Sequence, residues 1–389
     1  MRNAIIVVII GLVFVLYGTL NYYIGTRGWQ YLGRYVPFLN SKIYWVFFWF
    51  IAFSYISVRF VEKFLPFGLH RILTLVGAYW LAAMFYFILI LTTLDLLRFL
   101  NSRLGILPQG LTHSTWFAPV CGLVVLFAVA GILAYGTWNA RTPQVTRYEV
   151  SIPKQAGNLR QLRVAVVADL HLGTLVTNER LTHMVDMIND LNPDLVLMPG
   201  DIFDEDVEPA AERDTIDIFG RIQSRYGVFA VPGNHEYIGG YPDKVMSYLS
   251  KAGIHVLRDG YAKVGGSFYV VGRDDRSGSR YNGRERKELA AIIQGMDRSL
   301  PVILLDHQPV NLNEAREQGI DLQLSGHTHR GQLFPNHLIT RRLYEEDWGH
   351  LSKDAFQLIV TSGVATWGPP IRTSGKSEVV EAIINFGRE

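Results

Sequence analysis

The sequence predicts two architectures in one chain of 389 residues: an all-α membrane bundle over residues 1–140 and a layered α/β domain over 147–389. Three observations predict them. Residues 1–140 are rich in Phe, Tyr, Trp, Leu and Ile and poor in acids. Four apolar stretches within them are long enough to cross a bilayer. Beyond 147, strand-length apolar runs alternate with helical patterns.

A bilayer core of roughly 30 Å needs about 20 apolar residues in a helix. Stretches at about 4–24, 43–61, 72–97 and 116–138 meet that requirement. The first follows Arg2, but it is long for a signal core and lacks a small-x-small exit, so it is expected to be retained. Tyr22, Tyr23, Trp29, Tyr44, Trp45 and Trp138 crowd the span ends, where aromatic rings sit at headgroup level. No ionisable residue occupies the middle of a span, which favours an anchor or a lipid-handling platform over a transporter.

Four spans leave both chain ends on one side. Arg2, Arg59, Lys63, Arg71, Arg141, Arg147 and Lys154 fall there, against Arg27, Arg34, Lys42, Arg98 and Arg103 on the other side. That small excess leans toward a cytoplasmic α/β domain on a plasma or inner membrane. Overall charge is nearly balanced, 37 Lys+Arg against 35 Asp+Glu, so no nucleic-acid partner is expected. The single cysteine, Cys121, excludes an internal disulfide and a cysteine-based zinc site.

In the second part, Tyr148-Glu-Val-Ser-Ile-Pro153 alternates as a strand. Five further runs follow, each ending in polar residues. They begin at Leu162, Pro193, Gly227, Pro301 and Asp321, and they end in Asp169-Leu-His171, Gly200-Asp201-Ile-Phe-Asp204, Gly233-Asn234-His235-Glu236, His307 and Gly326-His327-Thr-His329. Continuous Val/Leu/Ile runs imply strands buried on both faces. Helical patterns at Glu179–Leu191 and Pro242–Ala252 supply the cover. Function in such folds gathers beyond the carboxyl ends of the strands, so the polar clusters are expected to converge.

Asp169, His171, Asp201, Asn234, His307, His327 and His329 offer only oxygen and nitrogen donors. Such donors suit Mn²⁺, Fe²⁺ or Zn²⁺, with Mn²⁺ the leading expectation. Seven exceed the needs of one ion, whereas two ions sharing a carboxylate would use them all. Ions about 3.5–4 Å apart bind phosphate oxygens and activate water near neutral pH. Gly200, Gly233 and Gly326 fall beside these donors, where a side chain would crowd the ions.

This ordered set resembles the calcineurin-like metallophosphoesterases over roughly residues 147–386. Gln332 and Gly363-Val-Ala-Thr-Trp-Gly-Pro-Pro-Ile-Arg372 look more narrowly like its membrane-associated branch with N-terminal helices. The resemblance implies a four-layer β-sandwich flanked by helices. It also implies that Asp169, His171 and His329 hold one ion, that Asn234, His307 and His327 hold the other, and that Asp201 bridges both. His235 would be the general acid, oriented by Asp204, and a metal-bridging hydroxide would attack phosphorus. Arg330 stands where the branch commonly has glycine; it is either a phosphate contact or a solvated loop residue, and Arg372 is similar. Trp367 would stack on a base or acyl chain, or else pack.

The function expected is hydrolysis of a phosphodiester or pyrophosphate in a lipid or lipid-linked substrate, with the bilayer and a phosphorylated amphiphile as partners. A phosphomonoesterase acting on protein or small metabolites is the alternative, and a non-catalytic ligand-binding module the second. Oligomeric state is not legible.

Overall fold

A computed structural model describes residues 2–61, 64–106, 108, 114–205 and 213–387; Lys63, counted in the charge comparison above, lies outside them. Contacts divide the chain into two units, residues 1–136 and 137–389.

The first unit holds α1 (Arg2–Tyr31), α2 (Ser41–Val61), α3 (Phe67–Leu104) and most of α4 (Phe117–Arg141). All four helices are long and apolar enough to cross a membrane. α3 runs several residues past both ends of the predicted 72–97 stretch, because amphipathic flanks continue a helix after its apolar centre ends. Small residues are buried on both α2 and α3, among them Ala52, Ser54, Gly77, Ala78, Ala82 and Ala83. A Cβ on Gly77 would lie 2.3 Å from the Tyr55 backbone nitrogen, so only glycine permits this approach. Asp95 accepts from Arg27 Nη2 at 2.6 Å and from the Tyr23 hydroxyl at 2.7 Å, which ties α1 to α3.

The second unit is built on two six-stranded sheets. Its strands are β1 (Gln144–Ile152), β2 (Gln161–Val166), β3 (Leu195–Pro199), β4 (Val228–Val231), β5 (His255–Val256), β6 (Gly260–Val264), β7 (Phe268–Gly272), β8 (Val302–Leu305), β9 (Leu322–Ser325), β10 (Gly349–Lys353), β11 (Phe356–Val360) and β12 (Glu378–Phe386). One sheet has the order β1-β12-β2-β3-β4-β5 and the other β10-β11-β9-β8-β7-β6. β2 to β5 are mutually parallel, as are β7, β8, β9 and β11. Two parallel sets therefore send their carboxyl ends to common loops.

Alternating side chains divide between separate cores, which explains the continuous apolar runs. On β2, Val164 and Val166 pack between the sheets against Val270, Ile303 and Leu324. Ala165 faces the opposite way, into a core with α5 (Asn178–Asp190), α6 (Arg213–Phe219) and, beyond the short α7 (Asn234–Ile238), α8 (Pro242–Lys251). A third core covers the outer face of the second sheet with α10 (Leu289–Ile292) and α11 (Leu312–Glu317), α9 being Ser277–Tyr281. The result is a four-layer α/β/β/α sandwich. α12 (His337–Leu343) stands outside these layers and buries none of its residues.

Candidate metal centre

Three of the strands that carry predicted donors, β2, β3 and β9, run into left-handed backbone at those donors. Asp169, His171, Asp201, His327 and His329 all have φ between 47° and 74°. These left-handed conformations are uncommon for residues other than glycine and cost on the order of 1–3 kcal/mol each. Their recurrence at the ends of β2, β3 and β9 marks strain held by the surrounding core. The neighbouring glycines make the turns feasible. A Cβ on Gly200 would meet His307 Nδ1 at 2.6 Å, one on Gly233 would meet Asp201 Oδ1 at 2.1 Å, and one on Gly326 would meet Asp169 Oδ2 at 2.6 Å.

The structure brings all seven predicted donors together. His171 Nε2 lies 3.1 Å from His329 Nε2, which is 3.8 Å from Asp169 Oδ1. Asn234 Oδ1 lies 2.7 Å from His327 Nδ1 and 3.2 Å from His307 Nε2. Asp201 stands between these sets, its Oδ2 3.1 Å from His307 Nε2 and 3.9 Å from His171 Nε2. Ring nitrogens and carboxylate oxygens turned toward one another, with Asp169, His171 and Asp201 essentially inaccessible, form a cradle that suits cations.

Protonation fits the same purpose for three of the four histidine donors; burial would lower the fourth, His307, but Asp201 and Asp169 raise it well above the usual imidazole range. Burial lowers His171 and His327, each to about 4, and holds His329 well below its usual value. These imidazoles are therefore neutral, the form that donates a lone pair. Burial raises Asp169 to about 7, with the Asp201 charge adding to the rise and His307 opposing it. For Asp201 burial acts upward, but His307, His235 and His171 hold it well below the carboxylate range. Opposed shifts of this kind among neighbouring buried groups are frequent at functional sites.

Beside the cradle, His235 Nδ1 lies 3.0 Å from Asp204 Oδ1. Burial alone would lower His235, yet the Asp204 hydrogen bond and the charges of Asp201, Asp204 and Glu236 outweigh it and raise it to about 9. His235 and Asp204 thus form a hydrogen-bonded pair beside the donors, and their ligand atoms lie within 4.8 Å of one another and of one on His171.

The three predicted substrate contacts fare differently. Trp367 is half exposed, its ring 5.6 Å from that of His235 and roughly perpendicular to it. Arg372 is corrected: it is fully buried, donating to His329 O at 2.9 Å and Ala365 O at 2.6 Å, so it braces the His329 loop from behind. Arg330 is partly buried, its guanidinium stacked 3.8 Å over the Trp348 ring and against Gly375.

Sequence reasoning missed three contributors. Glu236 accepts from three backbone N–H groups and joins two donor loops. Gln332 holds the Trp367 loop, accepting from Trp367 N at 3.0 Å and donating to Trp367 O at 2.9 Å. Gly363, at φ 82°, would place a Cβ 2.7 Å from that of Asp169. Gly363→Ala should therefore displace Asp169 and lower metal affinity about 10–100-fold, while costing only ~1–2 kcal/mol of backbone strain. Metal titration alongside thermal melting checks both halves.

A calcineurin-like phosphoesterase family signature matches residues 162–331. An Aquifex aeolicus protein named as an uncharacterized metallophosphoesterase is 30% identical over 258 residues, covering 66% of this chain and 97% of that protein. A Danio rerio transmembrane protein with metallophosphoesterase domain is 29% identical over 311 residues, 77% of this chain and 70% of its own length. A Helicobacter pylori metallophosphoesterase is 32% identical over 226 residues, where this chain spans 59% of the relative. The chain belongs to the calcineurin-like metallophosphoesterase family.

Proposed function

We propose that this protein is a membrane-anchored phosphoesterase using two divalent ions to cleave a phosphodiester or pyrophosphate bond of a lipid or lipid-linked substrate. The observation that carries the reading is the meeting of seven oxygen and nitrogen donors beside a His–Asp dyad, in a chain with four helices able to cross a membrane.

Asp169, His171 and His329 would hold one ion, Asn234, His307 and His327 the other, and Asp201 both. Mn²⁺ is the favoured ion; Fe²⁺ and Zn²⁺ suit the same donors. Such ions supply Lewis acidity toward phosphoryl oxygens and a nucleophile near neutral pH. His235 keeps its proton at neutral pH and gives it to the oxygen that departs from phosphorus. Asp204 holds the ring through Nδ1, leaving Nε2 for that transfer, and steadies the imidazolium before it reacts. Trp367, half exposed beside His235, supplies an aromatic surface for an acyl chain or base. Tethering by the spans favours an amphiphilic substrate, and the positive-charge excess near the termini favours the cytoplasmic face of a plasma or inner membrane.

His235→Ala should retain full metal content while kcat on an aryl phosphodiester falls about 10²–10⁴-fold. The loss should shrink as the leaving group becomes more acidic. Undiminished turnover in that variant would overturn the assignment, and turnover of mono-aryl against bis-aryl phosphate distinguishes a monoesterase from a diesterase.

A further inference from the structure

Beyond residue 141, nine large apolar or aromatic side chains are exposed among the described residues. Five of them are Phe334, Leu338, Ile339, Leu343 and Trp367. Four lie on or just before α12, and Leu343 is the most exposed at 72%. A water-facing helix with this composition needs a partner, because contiguous exposed apolar surface marks an interaction site.

α12 is nevertheless fixed firmly to the metal-binding loop. Thr340 Oγ1 donates to Asp347 Oδ2 at 2.5 Å, and Thr328 Oγ1, between His327 and His329, donates to Asp347 O at 2.6 Å. The Tyr344 ring stands 6.1 Å from His327, edge-on, and Phe334 stacks on His337 at 5.4 Å. Gln332 grips the Trp367 loop two residues before Phe334. The apolar side chains are thus a rigid rim beside the site, not a loose tail.

Two charges identify the occupant. Arg341 and Arg342, both exposed, form no ion pair among the described residues; Glu346 acts on Arg341 only through space, and nearby Glu345 is paired with Lys353. Apolar side chains interleaved with unpaired arginines match an anionic lipid surface, where acyl chains take the former and headgroup phosphates the latter. The same chain carries four helices able to cross a membrane, so such a surface is always within reach.

We propose that α12, with Phe334 and Trp367, is a bilayer-contacting rim: Leu338, Ile339 and Leu343 enter the headgroup–acyl boundary, Arg341 and Arg342 engage lipid phosphates, and the substrate is taken up at that boundary. The last clause rests on the proposed hydrolase reading; the contact itself does not.

The test uses the full chain in nanodiscs of phosphatidylglycerol and phosphatidylcholine, with Cys121→Ser and one environment-sensitive label. A label at Leu343→Cys is expected to be quenched at least threefold more by acyl-brominated lipid than one at exposed Gln294→Cys, which precedes the strand whose far end carries His307. Arg341→Glu with Arg342→Glu should weaken that quenching in anionic discs. The triple variant Leu338→Ser, Ile339→Ser, Leu343→Ser should lose tenfold or more of its turnover on a bilayer-embedded phosphodiester, yet stay within twofold of the parent on a soluble aryl phosphodiester. Equal quenching at 343 and 294 overturns the rim, as does shielding of 343 only by a second copy in detergent. Equal loss on both substrates overturns substrate uptake there. If the parent cleaves neither substrate, the hydrolase reading fails, and quenching still decides the contact.

Discussion

Asp201→Ala should reduce turnover by roughly 10³-fold, equivalent to ~4 kcal/mol, and leave fewer than two ions per chain. Asp201 reaches side-chain nitrogens of both donor sets, its Oδ2 lying 3.1 Å from His307 Nε2 and 3.9 Å from His171 Nε2. Its Oδ1 also accepts the His235 N–H at 2.9 Å, so the carboxylate sets the start of α7 and thereby the dyad. Removing it strips a shared negative charge from a cradle of low dielectric, where compensating charges matter most. Asp201→Asn separates the two roles. It keeps an acceptor for His235 N–H but not the charge, so it should preserve the thermal midpoint while still losing metal. Metal content and kcat measured together decide the matter: two ions and parental turnover in the alanine variant would sink the bridging role.

Glu236→Ala should be the most destabilising single change near the site. Glu236 is fully buried, and its carboxylate accepts from Ile202 N at 2.7 Å, Phe203 N at 3.0 Å and Gly233 N at 2.7 Å. Each buried donor left without a partner costs about 1–3 kcal/mol, and a domain's whole stability is about 5–15 kcal/mol. The expected outcome is a melting point about 10 °C or more lower, at roughly 2–4 °C per kcal/mol for a domain of this size. Glu236→Gln should fall between the variant and the parent, because its NH₂ group opposes one of the three donors. Hydrogen exchange at Ile202, Phe203 and Gly233 should rise in both variants. Parental exchange there would show that the carboxylate is dispensable.

The donors were legible because each sits where an apolar run stops. Asp169, His171, Asp201, Asn234, His307, His327 and His329 announce themselves by position and type, and the strands' shared direction carries them to one place. Glu236 stands in the sequence only as the last residue of the Gly233-Asn-His-Glu236 motif. Its three acceptor contacts depend on where the Ile202 loop lies, which no local pattern encodes. Arg372 stands open in the sequence between a phosphate contact and a solvated loop residue, because arginine is rarely buried; its partners are backbone carbonyls, which carry no sequence signature. Arg330 was ambiguous for a similar reason, as its ring partner Trp348 lies beyond the intervening α12. Gly363 opens a quoted segment far along the chain from Asp169, and only the assembled sheets show that the two abut.

The placement of β12 governs how the catalytic unit comes into being. β12 separates β1 from β2, parallel to the first and antiparallel to the second, with Ala382 opposite both Tyr148 and Val164. During synthesis, β2 through β9 and every donor emerge while β2 still has a bare edge and an unfilled flank. Long-range closure of this kind is slow and exposes sticky strands meanwhile. The ligand set can therefore be complete in sequence well before it is complete in space, and the nascent unit keeps an unpaired edge until the late strand slots in beside β2.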